Sequence, residues 1–199
     1  ILKSNIADEG WLGQIEKNIA QYASDIIEYR QIAIDQINTN LSLISLPFNS
    51  CVIDLIYDDV LKVSVTKEEF IFNYTNILSN NRQIDRDMNR TLIGPNKVEV
   101  KMWKLEDRLI EAKHCSTGEQ KSILISIILS VGQIIRDSEF ANSPIILIDE
   151  AMAHLDQHHR EALVDELSKL NTQSWFTGVS KEIFAHLDDD ATFFEVKNS

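Results

Sequence analysis

The longest regular pattern in the chain lies near its start. Ile15, Ile19, Tyr22, Ile26, Tyr29, Ala33 and Ile37 recur at spacings of 4-3-4-3-4-4, with Gln, Asn, Asp and Glu between them. That period predicts one amphipathic helix over 14–41, about 40 Å long, forming either a two-stranded arm or a long helix laid across its own domain. Pro47 and Asn49-Ser50 punctuate its exit. Residues 51–57, β-branched and apolar apart from Asp54, predict a strand. Asp58-Asp59 turns the chain, and 62–66 reads as extended or loop. Thr66 and Glu69 have capping-box spacing and open a helix over 67–78, with Phe70, Ile71, Tyr74, Ile77 and Leu78 on its apolar side. A second helix is expected over 82–90. Gly94-Pro95-Asn96 signals a turn, and 98–102 alternates as a half-buried strand does.

The remaining segments have a more legible order. A helix over 118–136 is apolar through its whole middle, so it should be buried on nearly all sides. Ile145-Ile146-Leu147-Ile148 is a continuous apolar run suited to the centre of a parallel sheet. Residues 157–170 predict a helix with Leu163, Leu167 and Leu170 as its seam. A strand over 174–177, a short helix over 181–187 and a last strand over 192–196 follow. This alternation predicts an α/β fold, with a mostly helical subdomain over 1–90 carrying one or two strands and a second subdomain over 91–199.

Composition narrows the class. With 199 residues, 44% hydrophobic and 25% charged, the chain can bury a core as one large domain or two small ones. Its longest apolar stretch, near 123–131, is broken by Ser126 and Ser130 and falls short of the ~20 residues a bilayer requires, so no membrane partner is expected. Two cysteines, Cys51 and Cys115, give no disulfide framework and suit a reducing, cytoplasmic setting. The opening Ile1-Leu2-Lys3-Ser4 has neither an initiator Met nor a signal-peptide pattern, so the chain is expected to be part of a longer protein.

The formal charge of −12 is that of a poor free-standing nucleic-acid binder, but it is unevenly spread. Residues 81–121 hold nine basic side chains against seven acidic ones, leaving −14 for the rest. Arg82, Arg86 and Arg90 recur every four residues, with Lys97, Lys101 and Lys104 following. Two readings stand: a solvated helix face, or a phosphate-facing stripe that acts inside a larger assembly.

Three features could carry chemistry. A strand over 145–148 would deliver Asp149 and Glu150 to its C-terminal end, the ligand side of an open α/β sheet. Two acids there suit a Mg²⁺ ligand and a general base for water, although many structural strands also end in Asp. Ser116-Thr117-Gly118-Glu119 precedes the buried helix; Ser116 is a plausible N-cap, and the helix N-terminus either attracts phosphate or is simply capped. Leu155-Asp156 follows six residues after Glu150.

Taken together, these features resemble the C-terminal lobe of an ABC-type ATPase head. Ser116, Thr117, Gly118 and Glu119 match the signature loop, Asp149 the Walker B Asp, Glu150 the catalytic Glu and Leu155-Asp156 the D-loop, while Thr177 stands where a switch His is common. Cys115 replaces an apolar Leu, Thr117 a Gly and Glu119 a Gln. Within that superfamily the chain is similar to the RecF family, through 91–97 (Thr-Leu-Ile-Gly-Pro-Asn-Lys), 115–121 and 175–178. The resemblance implies an arm subdomain ahead of the lobe, ATP and Mg²⁺ as cofactors, and an ATP-dependent homodimer. It further implies DNA bound at gaps or single-strand/double-strand junctions, and mediator proteins as partners in recombinase loading. Asp149 would hold the Mg²⁺, and Glu150, Asp149 and Thr177 would serve hydrolysis; Ser116, Thr117, Gly118, Glu119 and Asp156 would meet nucleotide. No Gly-x-x-x-x-Gly-Lys-Ser/Thr occurs in the sequence. The P-loop lobe is therefore expected upstream, with weak ATPase activity in the parent protein and neither bound nucleotide nor turnover in this chain alone. The alternatives are a head of another SMC/ABC-type ATPase, with 14–41 as the stump of a coiled coil, or a non-catalytic remnant that packs or dimerises.

Overall fold

The computed structural model describes residues 8–44, 47–48, 50–61, 66–105, 110–138, 143–150, 152, 155–178, 180–187 and 191–196. Among these residues four α-helices and four strands alternate: α1 (Glu9–Leu41), β1 (Cys51–Ile56), α2 (Lys67–Met88), β2 (Glu99–Lys104), α3 (Thr117–Asp137), β3 (Ile145–Ile148), α4 (Gln157–Leu170) and β4 (Gln173–Phe176). The fold is α/β. The chain divides into two compact units, residues 1–36 with 53–102 and residues 37–52 with 103–199.

In the first unit, α1 and α2 share a small core. Ala20 and Ala23 of α1 meet Phe70, Tyr74 and Leu78 of α2, with Leu61 beside them. Alanines on the buried side let the α2 aromatics seat closely against α1. The heptad-like stripe of α1 lies elsewhere: Ile19, Tyr22, Ile26 and Tyr29 are exposed. Helix α2 begins at the expected cap, where Thr66 accepts a hydrogen bond from the Glu69 N–H, and ends at left-handed Asn89. It is one helix, not the two expected over 67–78 and 82–90. Ser79, Asn80 and Asn81 are weak helix formers, but neither Gly nor Pro stands there to stop it. β1 pairs with β2. Of the extended segment expected at 62–66, only Thr66 is among the described residues.

The second unit is built around α3, α4 and a parallel β3–β4 pair, in the register Ile145↔Gln173 to Ile148↔Phe176. Its core gathers Ile125 and Leu129 from α3, Ile146 and Ile148 from β3, and Leu163, Leu167 and Leu170 from α4. Along α3, Ser122, Ser126 and Ser130 are buried on one stripe. Ser126 donates to the Ser122 carbonyl and Ser130 to the Ile37 carbonyl at the end of α1, which satisfies them. Leu124 remains exposed, so α3 is not enclosed on every side. β3 is likewise not a central strand among the described residues: Ile146 and Ile148 face the core, while Ile145 and Leu147 are exposed. Residues 192–196 form no strand; Phe194 stacks on Trp175 and Phe193 tilts against Phe184, so side chains rather than a hydrogen-bond ladder hold this segment.

Candidate functional site

Two carboxylates end β3. Asp149 and Glu150 are both exposed. Glu150 has φ 51, the left-handed region, which costs a non-glycine residue roughly 1–2 kcal/mol. Thr177, just past β4, secures this corner. Its N–H donates to the Ile148 carbonyl at 3.1 Å, extending the parallel pairing beyond the strand. Its hydroxyl accepts from the Glu150 N–H at 2.9 Å and donates to the Asp149 carboxylate. One hydroxyl thus fixes both the left-handed backbone of Glu150 and one oxygen of Asp149. Thr177 is turned toward the acids of its own chain.

The loop before α3 is closed on itself. Ser116 Oγ accepts from the Glu119 N–H and donates to the Glu119 carboxylate, which also receives the Ser116 N–H at 3.0 Å. Lys104 Nζ donates to the other Glu119 oxygen at 2.9 Å. The Lys104 ammonium first, and the Ser116 donors after it, hold the Glu119 carboxyl at about 2, well below the usual carboxylate range. Ser116, Thr117 and Gly118 are exposed, and a Cβ on Gly118 would meet nothing within 4 Å, so the loop is open to approach from outside. The Gln120 amide donates to the Lys113 and Cys115 carbonyls and pins the preceding turn.

Leu155 is buried, and Asp156 is the N-cap of α4, accepting from the His159 N–H and ring at 2.9 Å. Those hydrogen bonds lower its pKa. The Arg160 guanidinium donates to the Met152 carbonyl and fastens this turn to α4. A cleft of about 430 Å³ runs along α3 and β3; Leu124, Ile125, Ile128 and Leu147 line it together with Lys121, Asp149 and Glu150.

The basic residues part company. Arg82 is committed to α1: its Nη2 donates to Glu16 at 2.8 Å, and its guanidinium also pairs with Glu9. Lys104 is held by Glu119, and Lys101 lies 3.8 Å from Glu99. Arg86, Arg90 and Lys97 are exposed and have no ion pair among the described residues. Arg90 also lies past the end of α2, so the every-fourth-residue spacing does not continue on one helix. The segment carrying Lys97 is well fastened: Tyr74 donates to the Ile93 carbonyl, Asp85 accepts from the Leu92 N–H, and Arg30 donates to the Pro95 carbonyl. A Cβ on Gly94 would come within 2.8 Å of the Tyr74 hydroxyl, which explains the glycine. Neither Arg82–Glu16 nor Lys104–Glu119 has a signal in the sequence, because the partners lie 66 and 15 residues apart with no periodic relation.

No protein-family model matches the chain. It is 32% identical over 194 residues to the DNA replication and repair protein RecF of Rhizobium etli, across 95% of this chain and 50% of that protein. With the RecF of Rickettsia felis it shares 34% identity over 190 residues, across 92% of this chain and 50% of that protein. Among solved structures, that of the recombination mediator protein RecF-ATP superposes with a TM-score of 0.70 at 19% identity, across 91% of this chain and 48% of that one, a likeness of fold. The chain spans about half the length of the curated relatives it matches.

Proposed function

From the premise that this chain is RecF-like, corresponding to the C-terminal half of such a protein, we propose that it carries the hydrolytic carboxylates and signature-type loop of an ATP-dependent DNA repair protein. The observation that carries this reading is the corner at the end of β3, where Thr177 holds Asp149 and left-handed Glu150 in fixed positions. Asp149 would hold a magnesium ion. Two exposed carboxylates and no larger acidic cluster among the described residues suit an ion that completes its shell with nucleotide phosphates and water. When bound, that ion neutralises phosphate charge. Glu150 accepts the proton of the attacking water at a carboxylate oxygen. Thr177 acts as a positioning residue for both acids. Ser116 and Gly118 would face the nucleotide of a second head in an ATP-dependent homodimer, and Asp156 shapes the adjoining turn. With mediator proteins, the whole protein would act in the cytoplasm on DNA gaps or junctions and support recombinase loading.

The test is a nucleotide titration in the RecF-length protein that contains this chain, using a fluorescent ATP analogue with Mg²⁺. Glu150→Gln keeps the wild-type affinity, because Gln preserves the size and loses only the base. Asp149→Asn weakens binding about tenfold or more, comparable to the loss of a metal-holding group. Equal loss in both variants contradicts the assigned roles.

A further inference from the structure

The loop before α3 carries an electrostatic conflict. Ser116 and Gly118 are assigned to the nucleotide of a second head, yet Glu119 beside them is a carboxylate that its surroundings keep ionised. Its Oε2 lies 3.0 Å from the Ser116 nitrogen and 2.8 Å from the Ser116 hydroxyl oxygen. A phosphate reaching for Ser116 therefore meets a like charge at the contact itself, and like charges brought together oppose association. Lys104, the last residue of β2, places its ammonium 2.9 Å from the other oxygen of that carboxylate. Its backbone is held in place: the Lys104 N–H donates to the Ile110 carbonyl at 3.0 Å, and the Leu105 N–H to the Ser50 carbonyl at 3.1 Å. The neighbouring cations serve elsewhere. Lys113 pairs with Glu111 at 2.7 Å, and Lys121, two positions past Glu119 and so on another side of α3, lines the cleft with Asp149.

We infer that Lys104 is a positioning residue for the signature-type contact, balancing the Glu119 charge so that the phosphate of a second head can approach Ser116. The inference rests on the nucleotide role proposed above for Ser116 and Gly118. Lys104 acts through Glu119 and touches no nucleotide itself. The Ser116 hydroxyl has a single proton, which it gives to Glu119. An ammonium on the opposite oxygen weakens that carboxylate as an acceptor, so a phosphate oxygen competes for the proton on better terms. Because Lys104 takes the oxygen that Ser116 does not use, the capping box stays intact while the charge is balanced. The Lys104 and Glu119 side chains are 22% and 34% exposed, so solvent and salt screen the pair only in part. All of these residues belong to the second compact unit.

Sedimentation velocity of the RecF-length protein with a slowly hydrolysed ATP analogue and Mg²⁺ tests this, with a fluorescent ATP analogue titrated onto the monomer in parallel. Lys104→Met weakens the nucleotide-dependent dimer about tenfold or more, with the monomer's nucleotide affinity and the helical circular dichroism unchanged. Lys104→Arg retains the dimer. Lys104→Gln, which keeps a hydrogen-bond donor but not the charge, loses as much as Lys104→Met. The loss shrinks as salt rises from about 0.05 to 0.5 M, because the unbalanced carboxylate is screened. Adding Glu119→Gln to Lys104→Met restores the dimer, which a lysine that merely props the loop would not allow. A Lys104→Met protein that dimerises like the wild type, or a double variant as weak as Lys104→Met alone, overturns the inference. Ser116→Arg in the same assay separates the two levels. If it blocks the dimer while Lys104→Met does not, the Lys104 assignment alone falls; if it dimerises undiminished, the signature-type reading falls with it.

Discussion

The carboxylate at position 119 performs two tasks. It completes the capping box of α3 and accepts the ammonium of Lys104, so the donors of the Ser116 loop are turned inward. A Gln at this position could not hold Lys104 as an ion pair, and it would leave Ser116 freer to donate to a ligand. Because the folded-state pKa of Glu119 is depressed from 4.5 to about 2, its contribution to stability is present above pH 4.5 and is lost as the pH falls through about 2. The difference in melting temperature between the wild type and Glu119→Gln should therefore be constant above pH 5 and shrink between about pH 4.5 and 2. A thermal denaturation series across that range checks it. Ser116 with Glu119, and Asp149 with Glu150, are legible in the sequence as local pairs because their spacing is short. The sequence could not reveal that Thr177 faces Asp149, since that pairing depends on the β3–β4 register.

At the level of elements, helices with a clear period and a cap were legible. The Thr66 N-cap and the Ser116 capping box start α2 and α3 where their sequences say. Strand partners were not, because a sheet's extent is set by tertiary pairing: 192–196 alternates like a strand yet pairs with nothing described, and β3 is apolar throughout yet half exposed. The apolar period of α1 does give a helix, but its burial lies on the neighbouring alanine side, where the aromatics of α2 pack. Helix α3 approaches β3 and α4 through Gly132, where a Cβ would stand 3.2 Å from Leu170 and 3.3 Å from Ile146. Gly132→Leu should overpack this junction and cost about 1–3 kcal/mol in urea denaturation, with the slope unchanged.

For the whole molecule, ion pairing decides which cations are left for the DNA contact that the proposed function requires. Arg82 serves the first unit, since its removal would leave buried Glu16 without its guanidinium. In the RecF-length protein, Arg82→Ala should lower the melting temperature and leave the salt slope of duplex binding unchanged. Replacing Arg86, Arg90 and Lys97 together should reduce that slope by about 2–3, near 0.9 for each phosphate no longer neutralised, on duplexes of unrelated sequence alike. Fluorescence anisotropy across a salt series separates the two sets.

On the function proposed above, Asp149 and Glu150 form the hydrolytic corner of an ATPase head. Single-turnover ATP hydrolysis by the RecF-length protein, compared with its Glu150→Gln variant at saturating nucleotide, tests it most directly. The account predicts a fall of about 10²-fold or more in the variant, the size expected for loss of a general base, with nucleotide still bound. Equal single-turnover rates in the two proteins would contradict it.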